Sequence, residues 1–215
     1  MRSPRGFTLI ELLVAVTVMA LLALVSWRGL ESMALAQAQN RDRGDAVLTL
    51  QTTLQQWRAD LDATVALAQT SAMDWDGRVL RLTRRSTDTS TPLIYVVAWT
   101  LRADASGGHW HRWQSPGFTT RPEWQQAWDR AAAWAQEGSN NAGDADVELI
   151  PLSDWQIYYF RNDGWGPAVS AETLGASSPM PDGVRLVISL PPGTPLPGAI
   201  TRDWVRPTLT VPKTS

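Results

Sequence analysis

A single carboxylate stands inside an apolar run. From Phe7 to Val25 the chain reads FTLIELLVAVTVMALLALV, with Thr8, Glu11 and Thr17 as its polar positions. A carboxylate at the centre of a bilayer costs about 2.5–3.5 kcal/mol, and less near the interface. Glu11 follows Phe7 by four positions, so it sits shallow in such a segment. A buried charge of this kind calls for a partner or a function.

Other residues with chemical potential are scattered. His109 and His111 are the two histidines of the chain, one residue apart. On a strand they share a face, and a third ligand would complete a metal site. None lies near them in sequence, so they are expected to be exposed hairpin residues. Asp144, Asp146 and Glu148 are an acidic group of the kind calcium uses, but no twelve-residue calcium loop surrounds them. A solvated acidic loop is the expectation. Asp60 and Asp62 read as a solvated helical pair. No Ser/His/Asp set, phosphate loop or tandem repeat is evident. The expectation is a protein that is not an enzyme, with no cofactor, no metal and no small-molecule substrate.

The elements that carry these residues follow from pattern. About 19 residues of helix span about 28 Å, close to the hydrocarbon thickness of a bilayer. Residues 7–26 are therefore expected to form one transmembrane helix. Arg2 and Arg5 precede it, which places that end in the cytoplasm by the positive-inside rule. The helical pattern runs on: there is no proline between Arg5 and Pro92. Val47, Leu50, Leu54, Trp57, Leu61 and Val65 recur at three- and four-residue spacing, as a sheet-facing stripe does. One helix of about 65 residues is predicted, with residues 27–74 as a periplasmic neck and helix. A secretory signal cut after Ala34-Leu35-Ala36 is the rival reading. Glu11 and the length of the apolar run argue against it.

The leader carries a resemblance. Gly6-Phe7-Thr8-Leu9-Ile10-Glu11 after a short basic stretch resembles the signal of type IV prepilins and pseudopilins. The resemblance implies a leader over residues 1–6, cleavage by a membrane prepilin peptidase between Gly6 and Phe7, and N-methylation of Phe7. It also implies that Glu11 pairs with a terminal amine during assembly. Further along, Leu54-Gln55-Gln56-Trp57-Arg58-Ala59-Asp60-Leu61, Val97-Ala98-Trp99-Thr100-Leu101-Arg102, Trp155-Gln156-Ile157-Tyr158-Tyr159 and Met180-Pro181-Asp182-Gly183-Val184-Arg185-Leu186 are similar to minor pseudopilin J of type II secretion. That implies sister minor pseudopilins I and K as partners in a tip complex. A minor pilin of a type IV pilus is the alternative; it would typically carry a cysteine pair, and this chain has none. A membrane-anchored periplasmic enzyme is the other class.

Composition agrees. The chain has 215 residues, a formal charge of -2 and no cysteine, so disulfides, cysteine–zinc sites and cysteine nucleophiles are excluded. The charge gives no footprint for nucleic acid. Beyond residue 74 the pattern turns to strands: Val79–Leu82, Pro92–Arg102, Trp110–Gln114, Val147–Phe160, Gly183–Leu190 and Ile200–Leu209. A helix is inserted at about 122–136, opened by Pro122. Residues 75–215 should thus form a β-rich globule. The expected fold is α+β, a long N-terminal helix, transmembrane in its first half, packed on antiparallel β-sheets. In the neck, Leu30, Met33, Ala34 and Leu35 have few internal partners and are the expected partner contacts.

Overall fold

The fold begins with a capping box. In the computed structural model, which describes residues 8–87, 93–104, 107–136, 146–170 and 179–207, helix α1 spans Leu9–Asp62. Thr8 precedes it. Its backbone N–H and its hydroxyl both donate to Glu11 Oε2 at 2.9 Å. The two residues satisfy each other's polar groups where the first turn would otherwise leave them open. The chain divides after Ala46 into two compact units, and α1 passes through both.

In the first unit, Leu9–Ala46 is helix throughout. Its large apolar residues are exposed from Leu9 to Leu35. It is the one helix among the described residues that is long and apolar enough to cross a membrane.

The second unit opens with the rest of α1. Thr53, Trp57, Asp60 and Leu61 are its buried residues. The helix was expected to continue to residue 74, but it ends at Asp62. The reason is competition for backbone groups. Past Asp62, the Val65 N–H donates to the Thr83 carbonyl at 2.9 Å, and the Arg85 N–H donates to the Ala63 carbonyl at 3.0 Å. Val65 therefore belongs to a sheet-edge bridge region rather than to the helical stripe. Met73–Trp75 is already a strand, β1.

Two antiparallel sheets follow. The first contains β1, β2 (Val79–Arg85), β3 (Ile94–Asp104), β4 (Gly107–Gln114) and β5 (Asp146–Pro151), in that order. The second contains β6 (Asp154–Arg161), β7 (Gly164–Pro167), β8 (Gly183–Leu190) and β9 (Gly198–Val205), ordered β7-β6-β8-β9. The last strand ends before Pro207, which cannot donate to a ladder. The β6–β7 hairpin turns on Asn162 and Asp163, whose φ angles are 50° and 60°. Two adjacent left-handed residues match the twist of a tight hairpin, and Asn and Asp tolerate them.

The main core lies among α1, the inner face of the first sheet and the second sheet. Trp57 is its centre, with ring centroids 5.3 Å from Trp99, 5.2 Å from Trp110 and 6.3 Å from Trp155. Leu61, Leu80, Leu82, Val97, Ile150, Val184, Leu186 and Ile188 fill the space around these rings. Alternation along β2 and β3 sends Val79, Val96 and Ala98 to the opposite face.

That opposite face is covered by the inserted helix, α2 (Arg121–Gln136). Trp124, Ala127, Trp128, Ala131, Trp134 and Ala135 are buried on it. Its start repeats the device at α1: the Thr120 hydroxyl donates to Glu123 Oε2 at 2.7 Å. Those hydrogen bonds from Thr120 hold the Glu123 carboxyl below the usual carboxylate range. Its end is held by Arg102, whose Nη2 donates to the Trp134 carbonyl at 2.7 Å. This guanidinium, reaching the helix end from β3, also complements the helix dipole.

Candidate assembly surface

The surface that could do the work predicted from the N-terminal motif is the first unit's helix. Gly6 and Phe7, the expected cleavage and methylation positions, lie outside the described residues. Glu11 sits in the first turn of α1, and its partner within the chain is Thr8. The signal for this contact was Thr-x-x-Glu, the ordinary capping box. The carboxylate therefore begins from a satisfied state, and two exposed donors are what a terminal amine would have to replace.

The neck residues are exposed as expected. Met33 is 71% exposed, Leu30 65% and Leu35 61%, and Ala34 is exposed too. They do not form one patch. At about 100° per residue, Leu30, Met33 and Ala34 fall on one side of the helix, and Leu35 is turned about 140° from Leu30. Trp27, 69% exposed, joins the Leu30 side and was not among the expected contacts. Its signal was an aromatic residue at the end of an apolar run, where interfacial rings are enriched.

The other candidate residues are absorbed by the fold. Asp60 is not solvated; it is 0% exposed. Five N–H groups from four residues converge on its carboxylate. Arg84 Nη1 donates at 2.8 Å, Arg112 Nε and Nη2 at 2.8 and 3.0 Å, Trp99 Nε1 at 3.0 Å and Gln56 Nε2 at 2.9 Å. A buried carboxylate persists only with such compensation. Asp62 is half-exposed but not free, since Trp204 Nε1 donates to it at 2.7 Å. Together the two aspartates fix the end of α1 to the first sheet and to β9.

The histidines differ from expectation as well. His111 is buried, and its Nδ1 lies 3.1 Å from Asp146 Oδ1. Asp146 also receives Arg102 Nη1 at 2.5 Å. Asp146 is therefore committed to an ion pair beneath α2 rather than solvated in an acidic loop. His109 Nε2 lies 3.8 Å from Glu148 Oε1, and Glu148 remains exposed. Asp144 lies outside the described residues. A second buried pair joins Arg81 to Asp74 at 2.7 Å, with the Ser170 hydroxyl donating to the same carboxylate at 2.9 Å. Tyr159 is buried near it. Burial pushes its phenol far above the usual range, the charge of Asp74 adds to this, and Arg161 opposes it.

Residues 1–27 match the model of the prokaryotic N-terminal methylation motif. The match takes in Gly6, Phe7, Thr8 and Glu11 as well as the apolar run. No curated protein matches the chain. With a membrane-capable helix leading into an α+β globule, the motif supports a type IV pilin-like protein, whether pilin or pseudopilin. Such a motif implies processing by a prepilin peptidase and pilin-like partners.

Proposed function

We propose that this chain is a minor pseudopilin of the type II secretion system, a J-type tip subunit that helps initiate the pseudopilus. One observation carries the reading. A methylation motif leads into a helix whose apolar residues are uncovered, and that helix continues into a folded globule. The role is assembly, not catalysis. The helix anchors in the inner membrane with its arginine-bearing end in the cytoplasm and the globule in the periplasm. Minor pseudopilins I and K are the proposed partners, and the Trp27–Leu30–Met33–Ala34 side of the helix packs against theirs. The similarity of the Trp57, Trp99, Trp155 and Gly183 segments to minor pseudopilin J supports the narrower assignment.

Intact mass and N-terminal sequencing of the membrane fraction test it. The expected mature chain starts at Phe7 with a methylated amine. A mature chain starting at Gln37 overturns the pilin reading. Co-purification of the processed full-length chain with I and K then tests the tip assignment, and loss of both partners would return the chain to the wider pilin-like class.

A further inference from the structure

A second surface lies on the globular unit. A groove of about 480 Å³ runs between α1 and β5, lined by Leu48, Thr52, Gln56, Arg112, Val147 and Leu149 among others. Leu48 and Val147 are large apolar residues left 61% and 48% exposed in it. Arg112 is held by Asp60 and Gln114, so the groove wall is fixed by contacts behind it. Among the described residues, β5 is the outer strand of its sheet and pairs on one side with β4.

Two needs therefore coincide at one place. The apolar lining asks for a partner side chain, and the edge of β5 that no described residue pairs asks for backbone hydrogen bonds. A helix laid in the groove would meet the first need. It would leave the β5 backbone groups desolvated and unpaired, which is costly. An extended chain meets both, with alternate side chains facing the groove and solvent. The ladder shifts register between Trp110 and His111, so Val147, Leu149 and Ile150 can all serve the α1 side despite strict alternation elsewhere. Glu148 adds a charge. Its side chain is 57% exposed beside His109 at 3.8 Å, so a lysine or arginine on the incoming strand is the complementary residue.

We infer that the α1–β5 groove receives an extended, alternating apolar segment of a sister pilin-like subunit, with a basic residue opposite Glu148, as an added strand on β5. The inference rests on the assembly reading above and names a second contact, made by the globule rather than by the membrane helix.

The test uses the full-length chain in its native membrane. A photo-crosslinking amino acid is placed at Val147, at Leu48, at Leu30 in the neck, and at exposed Arg130 on α2 as a control. The expected result is that Val147 and Leu48 crosslink to a protein carrying its own N-terminal methylation motif. Mapped by mass spectrometry, the crosslinks fall on an extended segment, and Arg130 gives none. Glu148→Lys should cut the Val147 crosslink several-fold and leave the Leu30 crosslink unchanged. If Leu30 crosslinks to sister subunits but Val147 does not, the groove proposal is wrong and the assembly reading stands. Crosslinks from Val147 onto a helix of the partner also overturn the added strand. If neither position crosslinks to a pilin-like protein, both fall together.

Discussion

The two ends of α1 use the same backbone for opposite purposes. From Leu9 to Leu35 its large apolar side chains face outward on every side. From Val47 to Asp62 it shows one face to a tryptophan core, with Trp57 and Leu61 buried. A helix apolar all round needs lipid or other helices; a striped helix needs its own sheet. The carboxylates repeat the contrast. Glu11 is held by one local residue, Thr8, in an exposed turn. Asp60 is enclosed by five donors from α1, β2, β3 and β4. The first arrangement is local and exposed, so opening it disturbs no core packing. The second cannot be opened without unfolding the globule. A subunit that must be both a stable globule and an available helix separates the two tasks along one element.

The largest expected effect is at Asp60. Asp60→Ala leaves Arg84 and Arg112 nearly buried without their counterion and orphans Trp99 Nε1. Breaking a buried pair in this way costs about 3–5 kcal/mol. Urea unfolding of the detergent-solubilised chain, followed by tryptophan fluorescence, measures it. A loss well below this range would show that Asp60 does not hold the helix to the sheet.

Trp57 sharpens the same contrast between the ends. Trp57→Ala empties the centre of the aromatic cluster and should cost about 3–5 kcal/mol. Leu30→Ala, on the uncovered part of the same helix, should change unfolding by no more than about 0.5 kcal/mol. The order should reverse in assembly. Leu30→Asp and Met33→Asp should weaken co-purification of sister subunits while the unfolding midpoint stays put. If Leu30→Ala destabilised the globule as much as Trp57→Ala, the division of labour along α1 would be wrong.

Much of this was legible beforehand, for physical reasons. Glu11 stood out because a charge in an apolar run breaks a strong pattern, and the α+β architecture followed from a switch in period after the helix. The inserted helix was legible from Pro122, and α2 covers the sheet face opposite α1. What failed were contacts set by distant residues. Nothing local distinguishes Asp60 from a solvated aspartate; its donors lie 24, 39 and 52 positions away, apart from Gln56. His111 and Asp146 were misread for the same reason, since they meet across β4 and β5 at a separation of 35. The helix end was misplaced because strand pairing at Val65 and Arg85 outcompeted a sequence that is locally compatible with helix.

Glu11 offers a test in which folding and assembly separate. Glu11→Val removes a carboxylate from an apolar segment, so insertion should be unharmed and cleavage after Gly6 should persist. Recruitment into the assembly should fall several-fold at native expression level, because an incoming amine loses its acceptor where an unpaired charge costs about several kcal/mol. Secretion equal to that of the unaltered protein would remove the pairing role from Glu11. The globule's unfolding midpoint should not move, in contrast to Asp60→Ala.

The smallest effect comes from the exposed counterpart of the Asp60 hub. Asp203 on β9 faces Arg185 on β8, with Arg185 Nε and Nη2 each donating at 2.7 Å. The geometry is bidentate, as at Asp60, but the side chains are 34% and 41% exposed. Hydrogen bonding from Arg185 holds the Asp203 carboxyl below the usual range, with partial burial opposing. A depressed carboxyl contributes stability above its unfolded value and loses it as the pH falls through the folded one. Asp203→Asn should therefore cost less than about 1 kcal/mol at neutral pH, where solvent screens the pair. The difference from the unaltered protein should shrink further in high salt and vanish in acid. Urea midpoints at neutral and acid pH, with and without salt, measure both trends. The cost of Asp60→Ala should barely respond to salt, because its partners are shielded from ions. A salt-sensitive loss at Asp60, or a salt-insensitive one at Asp203, would mean that burial is not what separates the two carboxylates.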